Sequence, residues 1–260
     1  MDVMSSNFGG WVDKFEIIPQ PIVHAGAHFA EERFEYLDKY FQPVYWIEAI
    51  PQIAKVCEEN LIDFKGNHVI CAVLADQSNV EVSIYLAGSE DSSSSILKPH
   101  LIKASHPEVY VSGELKLQST TLDSLYADGF LGSHEAYGLI LDLQGAEGKA
   151  LSGGVNFLSH VDFIISEVSI RELYKNGVSF EDLSRFLGEH GFSLLASEVN
   201  KTTGWGEALY LKTPKQLNHR VLGSESAFIL SGTFSLFTWI RGAMIRAHFP
   251  KWVIDRFKRH

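Results

Sequence analysis

The sequence predicts an α/β fold built on a mostly parallel, Rossmann-like sheet. Short buried strand patterns alternate with helical patterns over residues 21–76, and the connections between them are short. The same alternation returns over residues 137–190, which indicates further βαβ units with right-handed crossovers. The last two strand patterns, residues 192–199 and 208–212, have no helix between them. They can therefore pair antiparallel, so that the last strand opposes the rest of the sheet.

The first half of the chain carries three apolar strand patterns that are separated by two helical ones. The predicted strands are residues 22–23, 44–47 and 68–74, and the predicted helices are residues 28–41 and 51–61. Pro51 stands at the start of the second helix, where a proline is tolerated because the first N–H groups have no helical partner. A tight turn at Gly26 follows the first strand, Glu48 closes the second, and Ala75-Asp76 ends the third.

The second half repeats the pattern after a less regular middle section. Residues 80–86 and 114–119 alternate apolar and polar residues, and residues 120–125 indicate a capped helical turn. The polar run 89–95 is either a solvated linker or a hydroxyl-rich rim of a cleft. The later strands are predicted at residues 137–143 and 161–168, and the later helices at residues 145–151 and 180–190.

Composition limits the class of protein. The chain has 260 residues, a hydrophobic fraction of 45% and a charged fraction of 21%, which are values of an ordinary soluble protein. Its net charge of −10 argues against a general nucleic-acid binder, which needs a basic surface. Cys57 and Cys71 have no metal-binding spacing, and we expect buried, reduced thiols. No secretory signal pattern is evident, so we expect a cytoplasmic protein.

We divide the chain into an N-terminal leader or lid at residues 1–20, a catalytic domain at residues 21–213 and a tail at residues 214–260. Residues 224–260 hold six Lys and Arg against two acids, a net charge of +4, so the remaining chain carries −14. Aromatic and basic residues interleave at helical spacing over residues 239–257, and Pro250 should split the helix. Such a basic amphipathic helix is typical of a membrane surface, or it docks on the domain or on a second subunit.

The glycine turn and the acid about twenty residues later indicate a nucleoside ligand. An acid such as Glu48 at the carboxyl end of the second strand hydrogen-bonds ribose hydroxyls in Rossmann-type sites. His24 and Ala30 stand where a full dinucleotide motif would have further glycines, which disfavours a pyrophosphate ligand. S-adenosylmethionine (SAM) fits better, with its amino-acid end near the turn, its ribose on Glu48 and its adenine near Ala75 and Asp76.

Seven segments in the same order resemble the FkbM-type methyltransferase family. They cover roughly residues 20–213 and are Val23-His24-Ala25-Gly26-Ala27-His28-Phe29-Ala30-Glu31-Glu32, Trp46-Ile47-Glu48-Ala49, Ala72-Val73-Leu74-Ala75-Asp76, Thr120-Thr121-Leu122-Asp123-Ser124-Leu125, Leu141-Asp142-Leu143-Gln144-Gly145-Ala146-Glu147, Glu167-Val168 and Gly204-Trp205-Gly206-Glu207-Ala208-Leu209-Tyr210. The resemblance implies a seven-stranded Rossmann-like methyltransferase fold and SAM-dependent O-methylation, typically of a hydroxyl on a sugar or a natural product.

The resemblance also implies that the first motif contacts the cofactor. His24 stands where many members have an acid, so a backbone carbonyl of the turn or Glu32 can hold the SAM ammonium group instead. His28 either contacts the SAM carboxylate or caps the helix. The predicted cofactor-binding residues are His24, Gly26, His28, Glu32, Glu48, Ala75, Asp76 and Asp142.

Three acids are the candidate catalytic residues. Asp142 follows a predicted strand at the shared edge, and it either orients and deprotonates the acceptor hydroxyl or contacts only the SAM amino group. Glu147 is either a site residue or a helix N-terminal acid that the helix dipole favours. Glu167 ends the next apolar strand. Together the three could hold a divalent ion, although a metal-free site is at least as compatible with the sequence.

The sequence thus predicts a SAM-dependent O-methyltransferase that acts on a glycan, a glycolipid precursor or a natural product. Two alternatives stay open at this point. One is a non-catalytic module with the same fold that scaffolds polysaccharide or natural-product assembly. The other is a nicotinamide oxidoreductase, which the missing glycines disfavour.

Overall fold

A computed structural model of the protein describes residues 8–88, 91–102 and 109–213. The predicted tail, residues 214–260, and the first seven residues of the predicted leader lie outside this described part. In the described ranges no helix is both long enough and apolar enough to cross a membrane.

Ten strands form two sheets in the described part of the chain. In chain order they are β1 (Ile22–Ala25), β2 (Val44–Glu48), β3 (Asn67–Cys71), β4 (Val73–Leu74), β5 (Glu81–Ala87), β6 (Val111–Thr120), β7 (Tyr137–Leu141), β8 (Val161–Ser169), β9 (Phe192–Asn200) and β10 (Trp205–Lys212). Seven of them form the main sheet, in the order β3-β2-β1-β7-β8-β10-β9. The pairs from β3 to β8 are all parallel, whereas β10 lies antiparallel between β8 and β9. This arrangement confirms the predicted fold.

The helices cover both faces of the main sheet. They are α1 (Phe8–Phe15), α2 (Arg33–Asp38), α3 (Pro51–Leu61), α4 (Leu122–Ala127), α5 (Glu147–Ser152) and α6 (Phe180–Glu189). On what we call the first face, α1, α2 and α3 bury Phe8, Tyr36 and Cys57 against the sheet. On the second face, α4, α5 and α6 bury side chains such as Leu122 and Leu187. Strands that are covered on both sides carry apolar runs, as β7 does over its whole length and β8 does from Phe163 to Ile165.

Local sequence signals explain where several helices begin. The hydroxyl of Thr121 accepts a hydrogen bond from the Ser124 N–H at 3.0 Å and caps α4, as the predicted capped turn requires. Ser179 caps α6 in the same way. The part of the predicted leader that the structure describes contains α1, whose Trp11 and Val12 are buried in the first-face core.

Two predicted elements differ from the structure. The helix predicted over residues 28–41 is shorter, since α2 begins only at Arg33. His28 and Ala30 have φ angles of 43° and 55°, which a helix does not allow. The strand predicted over residues 68–74 is divided at Ala72 into β3 and β4. The short β4 leaves the main sheet and joins a three-stranded sheet of order β4-β6-β5.

Candidate active site

A cleft opens at the carboxyl-terminal edge of β1, β2 and β7. It encloses about 710 Å³ of empty space, including the part that is open to solvent. One wall is apolar and is formed by residues such as Ile50, Ile53, Leu74 and Ile84. The cleft is also lined by Gly26 and by the polar residues His28, Glu48, Asp91, Ser92, Ser94, Ser95, Asp142 and Gln144. The structure therefore brings Gly26, His28, Glu48 and Asp142 together, as their positions at strand ends predict.

Gly26 allows the first turn to pass directly beside the acid-bearing turn after β7. Its φ is +89°, and a Cβ atom there would lie 1.7 Å from the backbone oxygen of Asp142. The N–H groups of Gly26 and Ala27 both donate to the Ile47 carbonyl, at 2.9 and 3.0 Å. The Asp142 N–H in turn donates to the Ala25 carbonyl at 2.9 Å. The turn is thus held between the ends of β2 and β7, with no room for a side chain.

Glu48 is a fixed, buried carboxylate at the end of β2. Only 7% of its surface is exposed. One side-chain oxygen accepts the Ile50 N–H at 2.8 Å, and the other accepts the His28 N–H at 2.9 Å. Burial raises the pKa of Glu48, whereas these two hydrogen bonds act in the opposite direction. Each oxygen keeps a second lone pair, so the carboxylate can still accept a ligand hydroxyl.

His28 lines the cleft but does not begin a helix. Its Nδ1 lies 2.7 Å from Glu31 Oε1, and the other Glu31 oxygen accepts the Phe29 N–H at 3.1 Å. Burial is the largest single influence on Glu31 and acts to raise its pKa, but the hydrogen bond and charge of His28 together with the backbone hydrogen bonds outweigh it, and the pKa is lowered. The backbone N–H of His28 is already bonded to Glu48, so the residue ties the glycine turn to the end of β2.

His24 lies on the first face of the sheet and does not line the cleft. It is 3% exposed, its ring stacks on Trp46 at a centroid distance of 5.0 Å, and its Nδ1 is 2.8 Å from the Tyr36 hydroxyl. Burial lowers the pKa of His24 to about 4, so the imidazole is neutral near pH 7. Glu32 does not line the cleft either, and burial raises its pKa to about 7.

Ala75 and Asp76 also lie apart from the cleft lining. The Ala75 N–H donates to the Thr120 carbonyl at 2.9 Å, where β4 joins the small sheet. Asp76 is exposed and pairs with Lys149, with its two oxygens 3.2 and 3.3 Å from Nζ. Ala72 and Leu74 line the cleft in this region instead.

The turn from Asp142 to Glu147 contains one exposed and one buried acid. Asp142 is exposed and lines the cleft. Glu147 is 2% exposed, and its Oε1 accepts the N–H groups of Leu143 and Gly145 at 2.9 and 3.2 Å. Burial raises the pKa of Glu147 to about 7. The contacts of Glu147 are those of a residue that closes the turn, and it is not among the residues that line the cleft.

Glu167 lies behind Asp142 and lines a second, smaller cavity of about 380 Å³. Gln144 bridges the two acids: its amide nitrogen donates to Asp142 Oδ1 at 2.7 Å and to Glu167 Oε2 at 3.0 Å. Burial raises the pKa of Glu167 well above its ordinary value, and the charge of Asp142 raises it further. The three predicted catalytic acids are therefore close together, but only Asp142 faces the cleft.

No group of three or more His, Cys, Asp or Glu side chains in the described ranges could hold a metal ion. The amide of Gln144, which lies between Asp142 and Glu167, donates hydrogen bonds and does not act there as a metal ligand.

Several residues that line the cleft were not assigned a role from the sequence. Asp91, Ser92, Ser94 and Ser95 form one rim of the cleft. The serine run was the available signal, and the rim was one of its two interpretations. Gln144 belongs to the motif that ends the fourth main strand, but its partner Tyr174 had no comparable signal, because their contact depends on a loop that is distant in sequence.

A family model described as the methyltransferase FkbM domain matches residues 24–194, which is more than half of the chain. The chain belongs to this family. The membership confirms the resemblance found in the sequence motifs. It also confirms the expected methyltransferase class and SAM as the cofactor of the domain. A search of curated proteins found no match.

Distant similarities to solved structures span most of the FkbM chain. One is a SAM-dependent methyltransferase from Clostridium acetobutylicum, at 8% identity and a TM-score of 0.47, with 82% of this chain and 94% of that chain covered. Another is magnesium protoporphyrin IX methyltransferase from Synechocystis with bound SAM, at 10% identity, a TM-score of 0.45 and coverage of 80% and 77%. A third is a protein in the NADB-Rossmann superfamily from Streptococcus agalactiae, at 13% identity, a TM-score of 0.45 and coverage of 98% and 92%.

Proposed function

We propose that this FkbM protein transfers the methyl group of SAM to a hydroxyl of a sugar, a glycan or glycolipid precursor, or a natural product. The charge of the cleft supports the choice of ligand. Glu48, Asp91 and Asp142 line it, and the described residues that line it include no Lys or Arg. Acids attract the sulfonium and ammonium groups of SAM, whereas they would repel the pyrophosphate of a dinucleotide.

The residues present fit SAM at three points. Glu48 is a preformed acceptor for ribose hydroxyls, because backbone N–H groups already fix both of its oxygens. The apolar wall at Ile50, Ile53 and Ile84 suits the adenine ring. Asp142 also lines the cleft, and its carboxylate adds to the negative charge that attracts the ammonium and sulfonium groups. SAM supplies an electrophilic methyl group, and the chain must orient the acceptor and take up its proton.

Asp142 is the acid best placed for work on the acceptor. It is exposed and lines the cleft, whereas Glu147 is enclosed by the backbone of its own turn. A hydroxyl nucleophile must lose a proton during methyl transfer, and a carboxylate within hydrogen-bond reach serves as the general base. In this proposal Asp142 orients and deprotonates the acceptor hydroxyl, Glu147 keeps the turn folded and Glu167 supports Asp142 from behind.

A glycan or glycolipid acceptor is our preferred class. A sugar presents many hydroxyls and no obligatory negative charge, which suits a cleft lined by acids and by the serine rim. The basic amphipathic pattern over residues 239–257 of the sequence is also compatible with an enzyme that meets its acceptor at a membrane.

Calorimetry tests the cofactor site first. We expect the full-length protein to bind SAM, and Glu48→Ala to weaken binding at least about tenfold because it removes a buried, pre-oriented acceptor. Glu58→Ala removes an exposed carboxylate from α3 and is the matched control. No binding by the wild type, or equal affinity for Glu48→Ala and Glu58→Ala, would contradict the proposed site.

Mass spectrometry then tests the reaction. The wild type is incubated with SAM and a panel of lipid-linked sugars and small alcohols, and each acceptor is examined for the mass of one added methyl group. We expect gain on a hydroxyl, and loss of that gain in Asp142→Asn. Methylation at nitrogen or carbon, with no hydroxyl product, would contradict the proposed O-methyltransferase.

A further inference from the structure

The side chain of Gln144 donates hydrogen bonds to both Asp142 and Glu167, and the two carboxyl groups also contact each other directly. It is 8% exposed and stands in a turn with a left-handed φ of 53°. Its two amide hydrogens have two acceptors, one oxygen of each acid, at 2.7 and 3.0 Å. Both donors of the amide are therefore used, and both are used on carboxyl groups.

The orientation of this amide is determined by its surroundings. Tyr174, which is 2% exposed, has its hydroxyl 2.8 Å from Gln144 Oε1 and 3.0 Å from the Ser93 carbonyl oxygen, and these two acceptors share its one proton. If the amide were rotated by half a turn, its oxygen would face two carboxyl groups and its nitrogen would face the hydroxyl. Two hydrogen bonds to acids would be lost, and hydrogen bonds to charged groups are the stronger class. Tyr174 thus fixes Gln144, and Gln144 fixes the two acids.

The two acids that Gln144 connects line different cavities. Asp142 lines the main cleft, and Glu167 lines the second cavity behind it. With Oδ1 of Asp142 held by the amide and its carboxyl group in contact with Glu167, the rotation of the Asp142 carboxylate is restricted. A free carboxylate on an exposed turn would sample several rotamers, and catalysis needs its base in one of them.

We propose that Gln144 is a positioning residue that, anchored by Tyr174, holds the carboxylates of Asp142 and Glu167 in one arrangement between the cleft and the second cavity. The consequence for SAM rests on the proposed function, because it assumes that Asp142 contacts SAM or its acceptor. The bridge itself can be tested without any ligand.

The charged and titratable groups around this bridge come from several elements. Asp142 and Glu147 belong to the turn after β7 and to α5, and Glu167 and Glu207 stand opposite each other on β8 and β10. Tyr174 comes from the loop after β8, and burial together with the neighbouring Glu167 charge raises its pKa. A further acid introduced at position 144 would therefore face acids on more than one side.

The ligand-free test introduces a carboxyl group at this position and follows its titration. Glutamate labelled with ¹³C at the side-chain carboxyl is incorporated into Gln144→Glu and into the control Gln52→Glu, which adds the same charge on the exposed start of α3. The extra carboxyl of Gln52→Glu should titrate near the ordinary value of about 4.3. That of Gln144→Glu should titrate at least about one pH unit higher, because the position is buried and the charge of Asp142 lies beside it. Equal titration of the two would overturn the proposal.

SAM affinity provides the second readout, measured by calorimetry against pH. Near neutral pH we expect Gln144→Glu and Gln144→Leu to bind SAM about tenfold more weakly than the wild type. The deficit of Gln144→Glu should shrink as the pH falls, since its protonated carboxyl becomes a donor to Asp142. The deficit of Gln144→Leu should persist, and Tyr174→Phe should show a smaller loss in the same direction.

The outcomes separate the two proposals. If the wild type does not bind SAM but the introduced carboxyl titrates high, the proposed function fails and the bridge stands. If the wild type binds SAM and Gln144→Glu and Gln144→Leu have the same SAM affinity as each other at every pH, the positioning role fails while the cofactor site stands. Near-ultraviolet circular dichroism verifies that each variant is folded before it is compared.

Discussion

Replacing Gly26 by alanine tests whether the glycine turn and the acid turn are built against each other. Gly26 has a φ of +89°, and an added Cβ would lie 1.7 Å from the Asp142 carbonyl oxygen and 2.7 Å from its carbon. Backbone atoms cannot rotate away as a side chain does. The end of β7 must therefore move, or the turn must open.

The expected cost has two parts. A left-handed φ costs a residue with a Cβ about 1–2 kcal/mol relative to glycine. Forcing extra volume into a closely packed site costs a further 1–3 kcal/mol or so. Gly26→Ala should therefore lower the free energy of unfolding by about 2–5 kcal/mol. The control Gly129→Ala isolates the conformational cost, because Gly129 has a similar φ of +81° and a Cβ atom added there would meet nothing within 4 Å.

Urea denaturation of the full-length protein measures both variants. Gly129→Ala should lose only the conformational part, about 1–2 kcal/mol. The difference between the variants, about 2 kcal/mol, corresponds to a midpoint difference of about 0.7 M for an m-value near 3 kcal/mol/M. SAM calorimetry on Gly26→Ala should also show weaker binding, since Asp142 is displaced. Equal midpoints for the two variants would show that the close approach of Gly26 to Asp142 does not exist in solution.

Three further changes give distinct outcomes. Glu48→Gln should weaken SAM binding in calorimetry while the fold is retained, and unchanged affinity would exclude Glu48 from the ribose site. Burial raises the pKa of Glu147 to about 7 in the folded state. The contribution of Glu147 to the free energy of unfolding is therefore complete below about pH 4.5, where its carboxyl group is protonated in both states, and it is lost as the pH rises through 7. As the pH rises from 5 to 8, the free energy of unfolding of Glu147→Gln should therefore increase by about 1–3 kcal/mol relative to that of the wild type in urea denaturation. A difference that does not depend on pH would contradict this reasoning. Tyr36→Phe removes the partner of buried His24 and should cost about 1–3 kcal/mol of stability without changing SAM affinity, and a parallel loss of affinity would place His24 in the cofactor site.

The main sheet could be predicted because parallel strands leave strong local signals. Apolar runs that end at Glu48 and Asp142, with helices between them, determine which residues share the carboxyl edge. Gly26, Glu48 and Asp142 therefore come together in the structure as expected. The helix predicted from His28 was wrong at its start because the apolar spacing does not reveal that His28 and Ala30 adopt positive φ angles.

The contacts of the other predicted site residues depend on tertiary structure. His24 follows the alternation of β1 onto the first face, where Tyr36 and Trp46 enclose it. Asp76 comes after β4, which belongs to the small sheet, and it forms an ion pair with Lys149 of α5. The break at the single residue Ala72 thus moves β4 out of the main sheet. The pattern of apolar residues in the sequence does not predict this break.

The glycine turn at Gly26 and the turn that carries Asp142 are in direct backbone contact. Ala25 accepts the Asp142 N–H, and Gly26 lies against the Asp142 carbonyl. Beyond Asp142, the amide of Gln144 continues the contact to Glu167. A displacement of the glycine turn is therefore transmitted to the carboxylate that is proposed to meet the acceptor. Substitutions in either turn should lower SAM affinity and turnover together, whereas changes confined to the apolar wall at Ile53 or Ile84 should affect SAM affinity alone.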